Sequence, residues 1–351
     1  VQRHAEVANE VAKITVLHAV ASYKSESTEY VRENIKGVDT LIVYYPKVKS
    51  KAPILKQILA KKNYIEALKK GYSFLDQTFD LVHLNAVFPA GIFALYLKKK
   101  YALNYIITVH WTGYLDHTKA FKKLRFYERQ IHKEIVSKSA LVMPVSEHLG
   151  KSLVKLNLVS NYEVIPNVVN DKLFYPSNAK KSSAVTRFLH VSSFNNQHKN
   201  IVGMLKAFKV LQDQNHDFIL HLVTEGEKSE VCNLINNIQI ENSKCIVEEK
   251  LTPKEVAHAM READCFVLFS NYETFSVVLA EAWMSGVPAI YSKCGGLTEI
   301  SNNDLGVQVE KGNHDALVSA LLHFDRNNYS VEKIVLQSIS IKYDYIKQRY
   351  F

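Results

Sequence analysis

The chain has 351 residues, of which 47% are hydrophobic and 23% are charged, an average composition for a soluble globular protein. It is long enough for two ordinary domains, and no run approaches the 18 or so apolar residues that favour a membrane span. The N-terminal sequence VQRHAEVANEV lacks the apolar core of a signal peptide, and the four cysteines have no metal-binding spacing. We therefore expect a cytoplasmic protein with free thiols.

The formal net charge of +9 is unevenly distributed. Residues 1–168 contain 25 Lys and Arg against 14 Asp and Glu, whereas residues 169–351 contain 19 against 21. This asymmetry predicts that the first half faces an anionic partner, a membrane surface or nucleic acid. Ordinary solvated lysine faces explain it equally well.

The first half predicts alternating strands and helices. In chain order we expect a helix at 2–11, strands at 14–20 and 40–45, a basic helix at 53–70, a strand at 79–84, a helix at 89–100, a strand at 105–109, a basic amphipathic stretch at 119–137, a strand at 140–145, a helix at 146–156 and a strand at 162–165. Such alternation is typical of a parallel sheet. Because a domain of this kind ordinarily begins with a strand, we expect about 10–25 further residues upstream of Val1.

The basic stretch Lys119–Lys138 has two interpretations. Its lysines and arginines are interspersed with Phe121, Leu124, Phe126 and Ile131. Such a stretch docks on an anionic membrane leaflet, or it packs its apolar face on the sheet as a normal amphipathic helix. Aromatic and basic residues do not interleave on one strand face as in an RNA-binding sheet, so no nucleic-acid partner is predicted.

The second half repeats the alternation after the polar linker sequence PSNAKKSS. We expect strands at 187–191, 218–224, 244–247, 264–269, 287–291 and 306–309, with helices at 199–214, from 227, and at 253–262, 276–285, 315–324 and 338–351. The predicted domains are 1–168 and 187–335, joined by a linker at 169–186 and followed by a helix at 336–351 that packs toward the first domain. Two successive α/β sheets predict a cleft, with ligands beyond the carboxyl ends of the strands.

The stretch Asp264–Ile300 is the most informative part of the sequence. A buried strand leads into a polar loop with Glu273, then a helix with Glu281 that Gly286 and Pro288 end. Free amides at the start of this helix would offer an anion site, which suits a diphosphate.

This stretch resembles the signature of glycosyltransferase family 4, whose members are retaining group 1 enzymes of the GT-B fold. The matching residues are Ser270, Glu273, Phe275, Glu281-Ala282, Gly286, Pro288-Ala289-Ile290, Gly295-Gly296 and Glu299. Ser276 stands where glycine is usual, and Ala289 where valine is usual. The resemblance extends over essentially the whole chain, including His110, Val145-Ser146, Val164–Asn167, Lys199-Asn200 and Glu225-Gly226.

The resemblance implies a fold and a reaction. The fold would be α/β, with two Rossmann-like domains facing a cleft. The enzyme would transfer a sugar with retention from a UDP-sugar or GDP-sugar to a glycan or lipid-linked acceptor, in cell-surface polysaccharide or glycoconjugate synthesis. It would use no cofactor and no metal, and a peripheral contact with an anionic membrane at the inner face fits a lipid-linked acceptor.

The resemblance also implies roles for individual residues. Glu281 would bind the ribose diol, Glu273 the hydroxyls of the donor sugar, and Lys199 a phosphate. The backbone amides of Phe275, Ser276 and Val277 would receive the diphosphate, and His110 would lie on the acceptor side near the donor sugar. The family often adds an arginine a few residues before the lysine, but that region here reads Ser192-Ser193-Phe194-Asn195.

Each of these residues also has a structural interpretation. Glu281 could be a solvated helix carboxylate, although its apolar neighbours would make an idle charge costly. Glu273 could only favour the helix dipole, and His110 could be a hydrogen-bonded structural group. Lys199 is predicted at the N-terminal end of a helix, where a cation is unfavourable unless it faces an anion.

Two other functions remain open at this point. A nucleotide-sugar epimerase of the same fold would act on the donor without an acceptor. A non-catalytic nucleotide-sugar-binding protein would bind without turnover.

Overall fold

The computed structural model describes residues 2–23, 26–116, 118–177, 185–299, 302–339, 346 and 348. They form two compact units, here called the N-terminal unit, which extends to Ile165 and also includes Gln348, and the C-terminal unit, which extends from Pro166 to Ile346. Residues 178–184 of the predicted linker and most of the predicted helix at 336–351 lie outside the described residues. Both units consist of helices and mainly parallel sheets, which confirms the predicted α/β class.

The N-terminal unit contains two separate three-stranded sheets, with strand orders β1-β3-β2 and β4-β5-β6. Its elements are α1 Gln2–Asn9, β1 Thr15–Ser22, β2 Glu29–Ile35, β3 Val38–Pro46, α2 Pro53–Phe74, β4 Leu81–Leu84, α3 Ala90–Tyr101, β5 Asn104–Val109, α4 Ala120–Lys123, α5 Phe126–Ser137, β6 Leu141–Pro144 and α6 Glu147–Lys155. The two sheets are parallel except that β2 runs antiparallel to β3.

Two details of the N-terminal unit differ from the sequence prediction. Strand β2 was not predicted, because its sequence EYVRENI is mostly polar and its residues are largely exposed, so the usual apolar signal is weak. Residues 162–165 form no regular strand, although the amides of Glu163 and Ile165 donate to the carbonyls of Val142 and Pro144 beside β6. The predicted strand upstream of Val1 stays a prediction.

The C-terminal unit is built on one six-stranded sheet in the order β12-β11-β10-β7-β8-β9. All neighbouring strands in it are parallel. Its elements are β7 Thr186–Ser192, α7 Asn196–Lys199, α8 Ile201–Asp213, β8 Phe218–Thr224, α9 Lys228–Ile238, β9 Cys245–Glu249, α10 Pro253–Glu262, β10 Cys265–Leu268, α11 Val277–Met284, β11 Ala289–Lys293, β12 Gly306–Glu310, α12 His314–Leu322 and α13 Val331–Gln337.

Apolar sequence accounts for the central position of β10 in this sheet. Every residue of β10 is buried, as expected for a parallel strand covered on both faces. The helix before it, α10, begins with a capping box in which Thr252 and Glu255 satisfy each other's backbone amides. Helix α8 buries six apolar side chains in a hydrophobic core cluster that also contains residues of the sheet strands. These contacts position the strand ends that carry the loops described next.

Among the helices of the described ranges, none is both long and apolar enough to cross a bilayer.

Candidate functional site

The order of the strands brings two loops together in the C-terminal unit. From β7 the chain proceeds to β8 and β9 on one side, and β10, β11 and β12 lie on the other side. The point between β7 and β10 is therefore a topological switch point, where parallel sheets ordinarily bind their ligands beyond the carboxyl ends of the strands. The segment after β7, which includes the short helix α7, carries Lys199, and the loop after β10 carries Glu273.

Lys199 and Glu273 are in direct contact at this switch point. The Lys199 Nζ donates to Glu273 Oε1 at 2.5 Å, and the Ser270 hydroxyl donates to the same oxygen at 2.8 Å. The two charged side chains are only 18% and 8% exposed. Within the described part of the chain, the other carboxylate oxygen of Glu273, Oε2, makes no hydrogen bond. The site thus pairs a nearly buried cation with a nearly buried carboxylate.

The structure corrects the local setting of Lys199. Lys199 is the last residue of the short helix α7, Asn200 adopts a left-handed conformation, and α8 begins only at Ile201. The predicted helix therefore begins two residues later than expected, and Lys199 lies just before the N-terminal end of α8. The anion that neutralises this cation in the structure is Glu273.

The turn after β11 supports the backbone of Glu273. Gly295 has a φ of +53°, and a Cβ at this position would lie 1.7 Å from the Glu273 carbonyl oxygen. The next amide, that of Gly296, donates to the same oxygen at 3.1 Å. Only glycine allows this close approach, which explains Gly295.

Ser276 occupies a strained position at the start of α11. It is the N-cap residue, with φ +68° and ψ +88°, a left-handed conformation that glycine adopts more easily. Its hydroxyl is buried and has no hydrogen-bond partner among the described residues. This left-handed conformation explains why glycine is usual at the position of Ser276 in the family that the sequence resembles.

Helix α11 presents its first turn beside Glu273. A helix leaves its first amides without an intrahelical carbonyl, and no side chain caps this one. Val277 and Val278 in this turn are partly exposed, whereas Phe275 is buried. One turn further on, Glu281 is 4% exposed and its helix neighbours Ala280 and Ala282 are buried. Glu281 is therefore not the solvated helix carboxylate of the structural interpretation.

Sequence reasoning missed a second lysine at this edge of the sheet. Lys311, just after β12, places its Nζ 4.1 Å from the centre of the Tyr272 ring, which meets the His198 ring edge-on at 5.8 Å. Burial, and next the charge of Glu273, raise the pKa of the Cys294 thiol to about 12, whereas Lys311 and Lys199 lower it. Lys311 thus lies within electrostatic reach of the same residues. Its only sequence signal was its place after a strand.

His110 lies in the N-terminal unit at the end of β5. Its Nε2 is buried and makes no hydrogen bond within the described ranges, and its ring meets the His4 ring edge-on at 5.9 Å. Burial lowers the pKa of His110 to about 4, so the ring is neutral at pH 7. The Nε2 of His110 therefore does not have the hydrogen bond that the structural interpretation of this residue expected.

The basic stretch at 119–138 forms α4 and α5. Phe121 is buried, Leu124 and Ile131 are half-buried, and Phe126 is 70% exposed. Helix α5 buries His132, Ile135 and Val136. Most of its apolar side chains therefore pack inside the unit, as in an ordinary amphipathic helix.

Comparisons with known proteins agree with this architecture. Residues 12–173 match the family model described as Glycosyltransferase Family 4, and residues 174–335 match the model described as Glycosyl transferases group 1. The chain is 27% identical over 279 residues to an uncharacterized glycosyltransferase of Methanocaldococcus jannaschii, with 78% of this chain and 74% of the relative covered.

Two solved structures share the fold. Sucrose-phosphate synthase from Thermosynechococcus elongatus aligns with a TM-score of 0.77 at 17% identity, covering 99% of this chain and 90% of that chain. The E. coli trehalose-6-phosphate structure bound with UDP-2-fluoro glucose aligns with a TM-score of 0.75 at 10% identity, covering 98% and 93%. The two family models together account for both units, and the chain belongs to glycosyltransferase family 4, the group 1 glycosyltransferases of the GT-B fold.

Proposed function

We propose that this glycosyltransferase is a retaining, metal-independent enzyme that uses a UDP-sugar or GDP-sugar donor. The acceptor is a glycan or a lipid-linked glycan, in cell-surface polysaccharide or glycoconjugate synthesis at the cytoplasmic face of a membrane. A peripheral contact with an anionic membrane belongs to the proposal. The observation that carries it is the Lys199–Glu273 pair beside the open first turn of α11.

The donor diphosphate binds at the first turn of α11. The amides at Phe275–Val277 and the positive end of the helix attract an anion, and Lys199 adds a full charge. The Lys199 ammonium is held by Glu273, so the diphosphate meets a cation that is already in position. Glu281 accepts hydrogen bonds from the ribose diol; charge-assisted bonds of this kind contribute roughly 1.5–3 kcal/mol each.

The same residues stabilise the charge that develops during transfer. As the anomeric bond opens toward an oxocarbenium-like state, negative charge grows on the leaving diphosphate, where Lys199 and the amides neutralise it. These fixed charges make a divalent cation unnecessary. The Glu273 Oε2 accepts a hydrogen bond from a hydroxyl of the donor sugar. The neutral His110 forms a hydrogen bond with a sugar hydroxyl.

The donor nucleotide is tested by thermal shift with UDP-, GDP- and ADP-sugars, since binding to the native state raises its stability by mass action. The UDP-2-fluoro glucose in the E. coli structure supports a uridine nucleotide as the first candidate. Product formed in a donor-only reaction would favour an epimerase instead. Turnover abolished by EDTA and restored by Mg²⁺ would contradict metal independence.

Glu281→Ala tests the ribose contact. Because the charge-assisted bonds to the diol are lost, we expect the nucleotide dissociation constant to rise at least about tenfold by calorimetry. Glu262→Ala, which removes an exposed carboxylate at the end of α10, is the matched control and should leave the affinity unchanged. Equal affinities in the two variants would remove Glu281 from the donor site.

A further inference from the structure

The first turns of α2 carry an apolar face that the described part of the unit leaves uncovered. Ile54, Leu55 and Ile58 are 59%, 50% and 53% exposed. Residues three and four positions apart lie on one side of a helix, so Ile58 joins the other two in one face. Single exposed apolar residues are normal, but a contiguous group is typical of an interaction site.

The same helical stripe is buried further along the helix. Ile65 and Leu68 are buried, and this part of α2 packs against β1 and β3. The approach is close, since a Cβ at Gly71 would lie 2.7 Å from side-chain atoms of Leu17 and Val43. The stripe therefore serves the core in the second half of α2 and is open to solvent in the first half.

The segment that carries the exposed face is rich in lysine and has no acidic residue of its own. Between Asp39 and Glu66 the sequence has no acidic residue and six lysines: Lys47, Lys49, Lys51, Lys56, Lys61 and Lys62. Lys61 pairs with Glu128 at 2.6 Å. Lys49, Lys51, Lys56 and Lys62 are exposed, and none of them has an ion pair within the described ranges.

An exposed tyrosine lies next to the first of these lysines. Tyr23 is 74% exposed, and the Lys47 Nζ lies 3.8 Å from its ring centre. Lys47, and more weakly Lys56, lower the pKa of the Tyr23 hydroxyl, so α2 lies within electrostatic reach of the ring. Tyrosine is enriched at membrane–water interfaces, where its ring is apolar and its hydroxyl is hydrated.

We infer that the α2 surface, defined by Tyr23, Ile54, Leu55, Ile58 and the lysines at 47, 49, 51, 56 and 62, docks on an anionic lipid bilayer. A bilayer accepts the apolar face among its acyl chains while its headgroups neutralise the lysines. A second copy of this surface would bring lysines against lysines, and nucleic acid would leave the isoleucines exposed. The inference deepens the proposed membrane contact and moves it from the 119–138 stretch to α2.

The test measures lipid binding by flotation with vesicles, without donor or acceptor, so its failure leaves the proposed transfer reaction untouched. The protein should bind vesicles of phosphatidylcholine with phosphatidylglycerol and not vesicles of phosphatidylcholine alone, and high salt should release it. The variant Ile54→Ser/Leu55→Ser/Ile58→Ser should lower binding at least tenfold. Lys51→Gln/Lys56→Gln/Lys62→Gln should lower it by about as much. Circular dichroism confirms the fold of each variant.

Two matched controls make the test specific to α2. Lys119→Gln/Lys123→Gln/Lys133→Gln removes the same number of exposed lysines from the basic stretch, and Leu336→Ser removes an exposed leucine of α13. Both should bind like the unmodified protein. Equal loss in the lysine control, equal binding to neutral vesicles, or no vesicle binding would overturn the inference. So would a dimer by light scattering that the triple serine variant abolishes, because it would assign the face to a second copy.

Discussion

The two units differ in how their candidate site residues are held. In the C-terminal unit, Glu273 is fixed by Lys199 and Ser270 through its side chain and by Gly296 through its carbonyl. In the N-terminal unit, His110 is a neutral ring whose Nε2 has no hydrogen bond within the described ranges. Under the proposed function, the donor site would be preorganised by its own unit, and His110 would offer its unpaired Nε2 to a ligand.

The largest effect should follow from Glu273→Gln, which tests the preorganised site. The amide keeps the shape but leaves the Lys199 ammonium without its countercharge, and it turns one of the two acceptor oxygens into an NH2 donor. A single oxygen then has to serve both Lys199 and the donor sugar. We expect kcat to fall about 10²–10³-fold, the size of effect seen when one preorganised electrostatic group is lost. A steady-state transferase assay with the donor found by thermal shift measures it.

The matched control for this variant is Asp213→Asn, which removes an exposed carboxylate that pairs with Lys209 in the same unit. Its kcat should not change. If the kcat of Glu273→Gln remained within twofold of that of the unmodified enzyme, the way in which Glu273 is held would not matter for catalysis.

Acid should weaken the N-terminal unit more than the C-terminal unit. Burial lowers the pKa to about 4 for three histidines of the N-terminal unit and for one of the C-terminal unit, namely His83, His110, His132 and His190. Unfolded histidine titrates near 6.5, so between pH 6.5 and 4 the unfolded state binds protons that the native state does not. The free energy of unfolding therefore falls as pH falls through this window, by up to about 1.4 kcal/mol per pH unit for each histidine.

Urea unfolding followed by tryptophan fluorescence can separate the two units. The chain has two tryptophans, Trp111 in the N-terminal unit and Trp283 in the C-terminal unit. Trp111→Phe leaves Trp283 as the reporter of the C-terminal unit. The fluorescence transition that this variant lacks belongs to the N-terminal unit. Between pH 7 and 5, its urea midpoint should fall by more than the midpoint of the C-terminal unit. Equal shifts for both units would contradict the comparison.

The smallest effect should come from Ser276→Gly, which tests whether preorganisation at α11 carries strain. Glycine relieves the left-handed backbone and removes a buried hydroxyl without a partner, and its own entropy cost offsets part of the gain. We expect the free energy of unfolding to rise by about 1 kcal/mol, with nucleotide affinity within twofold.

Ser330→Gly is the opposite control in the same unit. Ser330 caps α13 at φ −82° by accepting a hydrogen bond from the Lys333 amide, so glycine should lower stability there by a few tenths of a kcal/mol. Thermal denaturation measures both variants. A lower melting temperature for Ser276→Gly would show that the serine is accommodated without strain.

The sequence by itself determined the fold class and the parts of the candidate site that follow one another in the chain. Buried strands and amphipathic helices repeat with clear periods, and the loop with Glu273, the start of α11 and Gly295 lie within 23 residues of each other. A short contiguous motif keeps its geometry because local backbone constraints, such as the approach of Gly295 to the Glu273 carbonyl, are encoded in it.

Other features were decided only by the tertiary structure. The contact between Lys199 and Glu273 joins residues 74 positions apart and depends on β7 lying beside β10. The polar strand β2, the place of Lys311 over Tyr272, and the change from exposed to buried along one stripe of α2 have no local signal. Their common physical reason is that strand order and burial depend on packing between distant segments, which no short window of sequence specifies.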